Sequence, residues 1–232
     1  MTIVSDAQRS SSAVMAMLFA DSRLPTGGHT QSAGLEPALL GGLAPEDVPE
    51  WIAVRLRTTA LTDAGAAVVS RHLSLLGADA AALQRVVGAW AARTPSAAQR
   101  AASRTLGRGV QRLALSIWGE HAAVLTCRRL SSPPRCVVLG AVAAATGMAA
   151  EDLARVIVYD EAQSAATAMV KLHPTDPVDA VRWVLAAVTA VLPLVADVAD
   201  LTDPEGIPAL GGPLNEAWAE AHASRSQRLF HA

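Results

Sequence analysis

The sequence predicts an all-α fold: a single compact multi-helix domain of about ten helices with a polar C-terminal tail. Two observations carry that expectation. Apolar residues recur at three- and four-residue spacing in run after run, and each run is closed by a Gly- or Pro-rich break. No stretch alternates apolar and polar residues over a strand's length, and no repeat of fixed period is present. Of the 232 residues 51% are hydrophobic and 17% charged, which suits a packed globule rather than a disordered chain. Residues 1–213 are read as the helical domain and 214–232 as its tail.

Ser10–Ser12 offer caps for a first helix with Val14, Met17 and Leu18 on one face. Pro25 fixes its own φ and keeps Leu24 out of the helical region, so that helix ends near Asp21–Arg23. Gly27, Gly28 and Gly34 supply a turning loop, and Ser32 caps a helix with Leu35 and Glu36 in its first turn. After Gly41-Gly42, Pro45-Glu46-Asp47 starts a helix carrying Val48, Trp51, Ile52 and Leu56. The pattern resumes beyond Asp63-Ala64-Gly65 with Val68, Val69, His72, Leu73 and Leu76, and Gly77 closes it. Asp79 caps a stripe of Leu83, Val86, Val87 and Trp90.

Thr94-Pro95-Ser96 restarts the chain into a helix from Ala97 to about Trp118. Arg100, Arg104, Arg108 and Arg112 stand four apart on its outer side. That stripe reads either as a solvated face or as a docking face for an acidic partner. Gly107 and Gly109 admit a close neighbour. Ser131-Ser132-Pro133-Pro134 is a linker, and Cys136 to Ala145 is continuously apolar, ending at Gly147. A helix beginning at Ala149–Asp152 runs to Leu172, and His173 to Pro177 turns a corner. Val178 to Ala199 carries Asp179, Arg182, Pro193 and Asp197, so it reads as a buried helix rather than a membrane span. Leu201 to Pro213 is irregular.

The net charge of −2 gives no general attraction to nucleic acid or to an anionic membrane. Cys127 and Cys136 fit no common zinc spacing. Residues 1–12 lack the basic-then-apolar order of a signal peptide, so a soluble cytoplasmic protein is expected. The sequence holds no P-loop, no His-Glu-x-x-His and no Gly-x-Ser-x-Gly. Its six histidines are scattered. Asp21 and His29 flank the glycine loop and are the one acid–base pair available to a small helical enzyme.

Asp21-Ser22-Arg23-Leu24-Pro25-Thr26-Gly27-Gly28, with Ser32, Gly34, Leu35 and Glu36, resembles the N-terminal signature of the urease accessory protein UreF family. Further segments match in order. Ala102-Ser103, Gly107-Arg108 and Leu113-Ala114 resemble its central Arg/Gly helix. Val137 to Gly140, Gly147-Met148, Tyr159, Ser164, Lys171-Leu172 and Pro174 resemble its next two helices. Arg228-Leu229-Phe230 resembles its tail. The chain departs from the pattern at His29-Thr30-Gln31, Leu106, Pro134-Arg135-Cys136, Pro177 and Val181, which marks a divergent member.

The resemblance implies a non-catalytic assembly factor for nickel urease. It implies three partners: a UreD/UreH-like accessory protein, a UreG-like GTPase and the urease apoprotein. It also implies a homodimer, with no stable cofactor and with nickel passing through the complex. Arg225, Arg228, Leu229 and Phe230 are then expected to dock on the UreD-like partner, ordering as they bind. Lys171, Tyr159 and Arg104 are expected on the GTPase-facing surface. Pro25, Gly27, Gly28, Ser32, Gly34, Glu36 and Gly107 are expected to shape the loop and its supports. Two other classes fit the bare residues. A DNA-binding regulator would betray itself by a salt-sensitive gel shift. An enzyme working through Asp21 and His29 would lose its activity when both are replaced by Ala.

Overall fold

A computed structural model describes residues 6–28, 31–224 and 229–230. Among them are eleven α-helices and no strand. These are α1 (Asp6–Ala20), α2 (Leu35–Leu40), α3 (Val48–Arg55), α4 (Leu61–Leu75), α5 (Ala80–Ala92) and α6 (Ala97–Trp118). There follow α7 (Ala122–Arg128), α8 (Arg135–Thr146), α9 (Ala150–Leu172), α10 (Pro177–Ala199) and α11 (Pro213–Ala223). The all-α expectation is met.

The centre is α8, whose Cys136 to Ala144 are all buried. It has no polar face, so it is stable only when surrounded. It lies against α4, α6 and α7, while α9 packs on α4 and α10. The approach of α4 to α8 is backbone on backbone: a Cβ on Gly140 would stand 2.4 Å from the Ala67 carbonyl oxygen. Ser70 seals the contact by donating its hydroxyl to the Val137 carbonyl at 2.8 Å.

The sequence pattern breaks at Asp63–Gly65, but the helix does not. α3 continues into α4 through a π-helical turn at Leu56–Ala60. There Thr58 and Thr62 return their hydroxyls to the carbonyls of Val54 and Thr58, at 2.9 and 3.3 Å. The extra residue in that turn shifts the helical phase, so a pattern read at constant period loses its stripe.

Three further elements differ from expectation. α1 begins at Asp6, upstream of the serines offered as caps. It turns Ser12 and Phe19 inward and leaves Val14 and Met17 exposed. The Ser12 hydroxyl instead serves α9, accepting from the Ala149 N–H at 2.8 Å and donating to Asp152 at 2.5 Å. α10 is long and apolar enough to cross a membrane by length and composition, yet only 28% of its most apolar window is buried. It packs through Ala180, Val184, Ala187, Val191, Val195 and Val198, leaving Val178, Val181, Leu185, Leu192 and Leu194 exposed. A helix apolar all round does not tell the reader which stripe the core takes.

Last, α11 belongs to the helical body rather than to a polar tail. It lies on α2 and α6. Asn215 accepts from the Trp51 indole at 2.7 Å. Glu220 caps α6, accepting from the Ser96 hydroxyl at 2.6 Å and the Ala98 N–H at 2.9 Å.

Candidate functional site

The breaker-rich loop between α1 and α2 forms one face of the site. Asp21 accepts from the Arg23 guanidinium at 2.7 and 2.9 Å, and those bonds hold its carboxyl down to about 2. Asp21 is therefore spoken for as an ion-pair partner; His29 lies outside the described residues. Pro25 lets the chain double back, and the Thr26 N–H reaches the Leu24 carbonyl at 2.7 Å. Gly27 has φ of 88°, whereas nothing stands within 4 Å of a Cβ built on Gly28.

The loop rests on α6. A Cβ on Gly109 would lie 2.3 Å from the Thr26 carbonyl oxygen, and one on Gly107 would lie 2.2 Å from that of Pro133. Ser32 is fully buried, and its hydroxyl accepts from the Glu36 N–H at 3.3 Å, but the N-cap of α2 is Gly34 in the left-handed region rather than Ser32. Gly34, at φ 84°, sits where a Cβ would come 3.1 Å from the Arg55 guanidinium. The motif loop is thereby built against a buried arginine.

That arginine opens the second layer. Arg55 pairs with Glu161 of α9, its Nε 2.9 Å from Oε1, and its guanidinium lies 5.2 Å from the Trp51 ring centroid. Arg135 of α8 pairs with Asp160 at 2.9 Å. Asp63, within α4, accepts from the Trp90 indole at 2.6 Å. Burial pushes its carboxyl up to about 6, and the Glu161 charge adds to the rise while the Trp90 hydrogen bond opposes it. These groups border two cavities of about 100 and 120 Å³ beneath Gly28 and Gln31. Two arginines facing three carboxyl groups leave a polar floor near charge balance, a place for water or a small polar species.

The third layer is the chain's end. Glu36 accepts from the backbone N–H groups of Leu229 and Phe230 at 2.8 and 2.9 Å. Phe230 is buried, with the ammonium of Lys171, the chain's single lysine, 5.5 Å from its ring centroid. Leu229 points outward and is 66% exposed. The sequence reading placed the Phe230 ring on a partner; here it is packed inside its own chain. Arg225 and Arg228 lie outside the described residues.

Lys171 and Phe230 thus meet. Tyr159, also exposed, stands twelve residues earlier on α9, about 18 Å along the helix, and Arg104 is half-buried on α6. Burial drives the Cys127 thiol up to about 12 and the Cys136 thiol upward as well. No group of three or more His, Cys, Asp or Glu among the described residues is placed to hold a metal ion.

Sequence reasoning missed Arg55, Asp63, Asp160, Glu161 and His222. A signal existed for Arg55, which falls four residues after Trp51 on the stripe of Ile52 and Leu56. Charged residues on an apolar stripe are paired when buried.

A sequence model of the UreF family matches residues 44–188. The urease accessory protein UreF of Mycobacterium sp. (strain JLS) is 37% identical over 220 residues, covering 92% of this chain and 96% of the relative. The chain belongs to the UreF family. Its counterpart in Mycolicibacterium vanbaalenii is 35% identical over 223 residues, 95% of this chain and 99% of the relative. That of Mycobacterium marinum is 35% identical over 221 residues, 93% and 97%. Residues 21–36 and the tail precede and follow the span of the family model, but the UreF relatives align across nearly the whole length.

Proposed function

We propose that this UreF-family chain is a non-catalytic urease maturation factor that bridges a UreD/UreH-like protein and a UreG-like GTPase during nickel delivery to apo-urease. The observation that carries the reading is family membership: the family model matches residues 44–188, and the UreF relatives cover 92–95% of the chain. The geometry is compatible with it. Loop, buried charges and tail converge on one face without a nucleophile–base pair among the described residues, which suits recognition more than turnover. Nickel is cargo in this reading, and the cytoplasm is the compartment.

The C-terminal segment serves the UreD-like partner, with exposed Leu229 as its apolar contact and Arg225 and Arg228 as its charges. Lys171, Tyr159 and Arg104 serve the GTPase-facing side. The unpaired face of α10, with Val181 and Leu185 at its middle, serves a second copy of the chain. Its apolar side chains gain most from being covered by an equally apolar surface.

Deleting Gln227–Ala232 tests the tail assignment. Co-purification with the UreD-like partner is expected to vanish while the far-UV circular dichroism stays the same. Full binding by the shortened chain would remove the tail from the mechanism.

A further inference from the structure

A buried carboxylate is costly unless donors reach it, and in helical cores those donors are usually arginine or lysine. Glu36 is 6% exposed and, among the described residues, uses neither. Its two oxygens take two successive backbone N–H groups, those of Leu229 and Phe230, 193 and 194 residues away in the chain. Successive N–H groups converge on one anion only where the backbone bends, and Leu229 and Phe230 stand in a bend.

The rest of the seat comes from the helical body. The Ser32 hydroxyl fixes the backbone of Glu36 in the first turn of α2. Lys171, near the end of α9, lies over the ring of Phe230. His222 of α11 closes the other side of the carboxylate. It is 1% exposed, its Nε2 is 3.5 Å from Glu36 Oε2, and neither ring nitrogen has a hydrogen-bond partner among the described residues. An imidazole left unbonded in that position costs stability on its own. Its apolar body keeps water from Glu36, which strengthens the two N–H bonds that remain.

We propose that Glu36, Lys171 and His222 form a recognition site for a bent peptide segment carrying an aromatic side chain. The chain's own Leu229-Phe230 is its resident, tethered ligand. Glu36 reads two consecutive N–H groups, the cleft and Lys171 read the ring, and the preceding side chain is turned outward. Phe230 borders the same cavity as Asp21, Leu24 and Thr26, so the docked segment also braces the motif loop. A partner meets this tail already anchored, with Leu229 presented. This inference does not depend on which protein the partner is.

Hydrogen–deuterium exchange on the full chain tests it. The amides of Leu229 and Phe230 are expected to exchange at least about 10-fold more slowly than in the free synthetic peptide of residues 224–232. Glu36→Gln keeps the shape but removes the charge and one acceptor oxygen, and Phe230→Ala empties the ring's seat. Each is expected to bring those amides to within about 3-fold of the free peptide, with protection in α8 and α9 unchanged. Free-peptide exchange in the unaltered chain, or undiminished protection in Phe230→Ala, overturns the proposal. Should Glu36→Gln fail to fold, the Phe230→Ala result decides alone. Protected amides together with failed co-purification would leave this site standing and sink the partner assignment.

Discussion

Replacing Asp63 by Asn isolates the most unusual titration in the molecule. The Asp63 carboxyl is enclosed within α4, with the Trp90 indole as its donor at 2.6 Å, and burial lifts it from its ordinary 3.8 to about 6. Below pH 4 both the folded and unfolded chains hold the proton, so the group contributes nothing. Between pH 4 and 6 the unfolded chain ionises while the folded chain keeps its proton. Stability therefore falls as pH rises across that window and levels off above it. The size follows from the interval, and is about 3 kcal/mol. Asn retains a carbonyl oxygen for the Trp90 N–H and has no proton to lose. Urea unfolding of both chains at steps from pH 4 to 7.5 cancels the carboxylates they share. The Asp63→Asn variant is expected to gain about 3 kcal/mol on the native chain over that range. Parallel curves, or a difference that shrinks with pH, would refute the account of Asp63 as a buried carboxyl held protonated.

Other outcomes follow from the same packing. Arg55→Ala leaves the Glu161 carboxylate without its partner; about 3 kcal/mol is expected, seen as a melting temperature lower by roughly 10 °C. The double change Arg55→Met, Glu161→Leu should recover most of it, and a single variant melting within about 2 °C of the native chain counts against the pair. Gly140→Ala gains helix propensity but drives a methyl into the Ala67 carbonyl, so a net loss of about 1–2 kcal/mol is expected by denaturant unfolding. Gly88→Ala in α5 meets nothing within 4 Å and should gain about 0.5–1 kcal/mol in the same assay. If the open face of α10 joins two copies as proposed, the native chain should scatter light as a dimer and Leu185→Glu as a monomer, with helicity retained; a native monomer counts against that face.

Much of the fold was legible because helices announce themselves by period and punctuation. α6 runs from Ala97 to Trp118 as its pattern indicates, and Asp79 caps α5 by accepting the Ala82 N–H at 2.9 Å. The corner at His173 to Pro177 holds, with Asp176 accepting from the Val178 N–H at 2.9 Å. The π-helical turn was not legible, since a one-residue shift of phase resembles a break in pattern. Nor was the open face of α10, because nothing in a wholly apolar helix marks its inner side. The candidate site divides in the same way. Gly34 and Ser32 are local in their effect and could be read. Arg55 with Glu161, and Glu36 with the chain's end, are pairings across more than a hundred residues, which no local pattern encodes.

The bridging role is tested most directly by a three-component pull-down. A tagged UreD-like protein is mixed with the GTP-bound UreG-like protein, with and without this chain. The account predicts that the GTPase is retained only when the chain is present, and that the retained complex raises the nickel content and activity of apo-urease. Equal retention of the GTPase without the chain would contradict it.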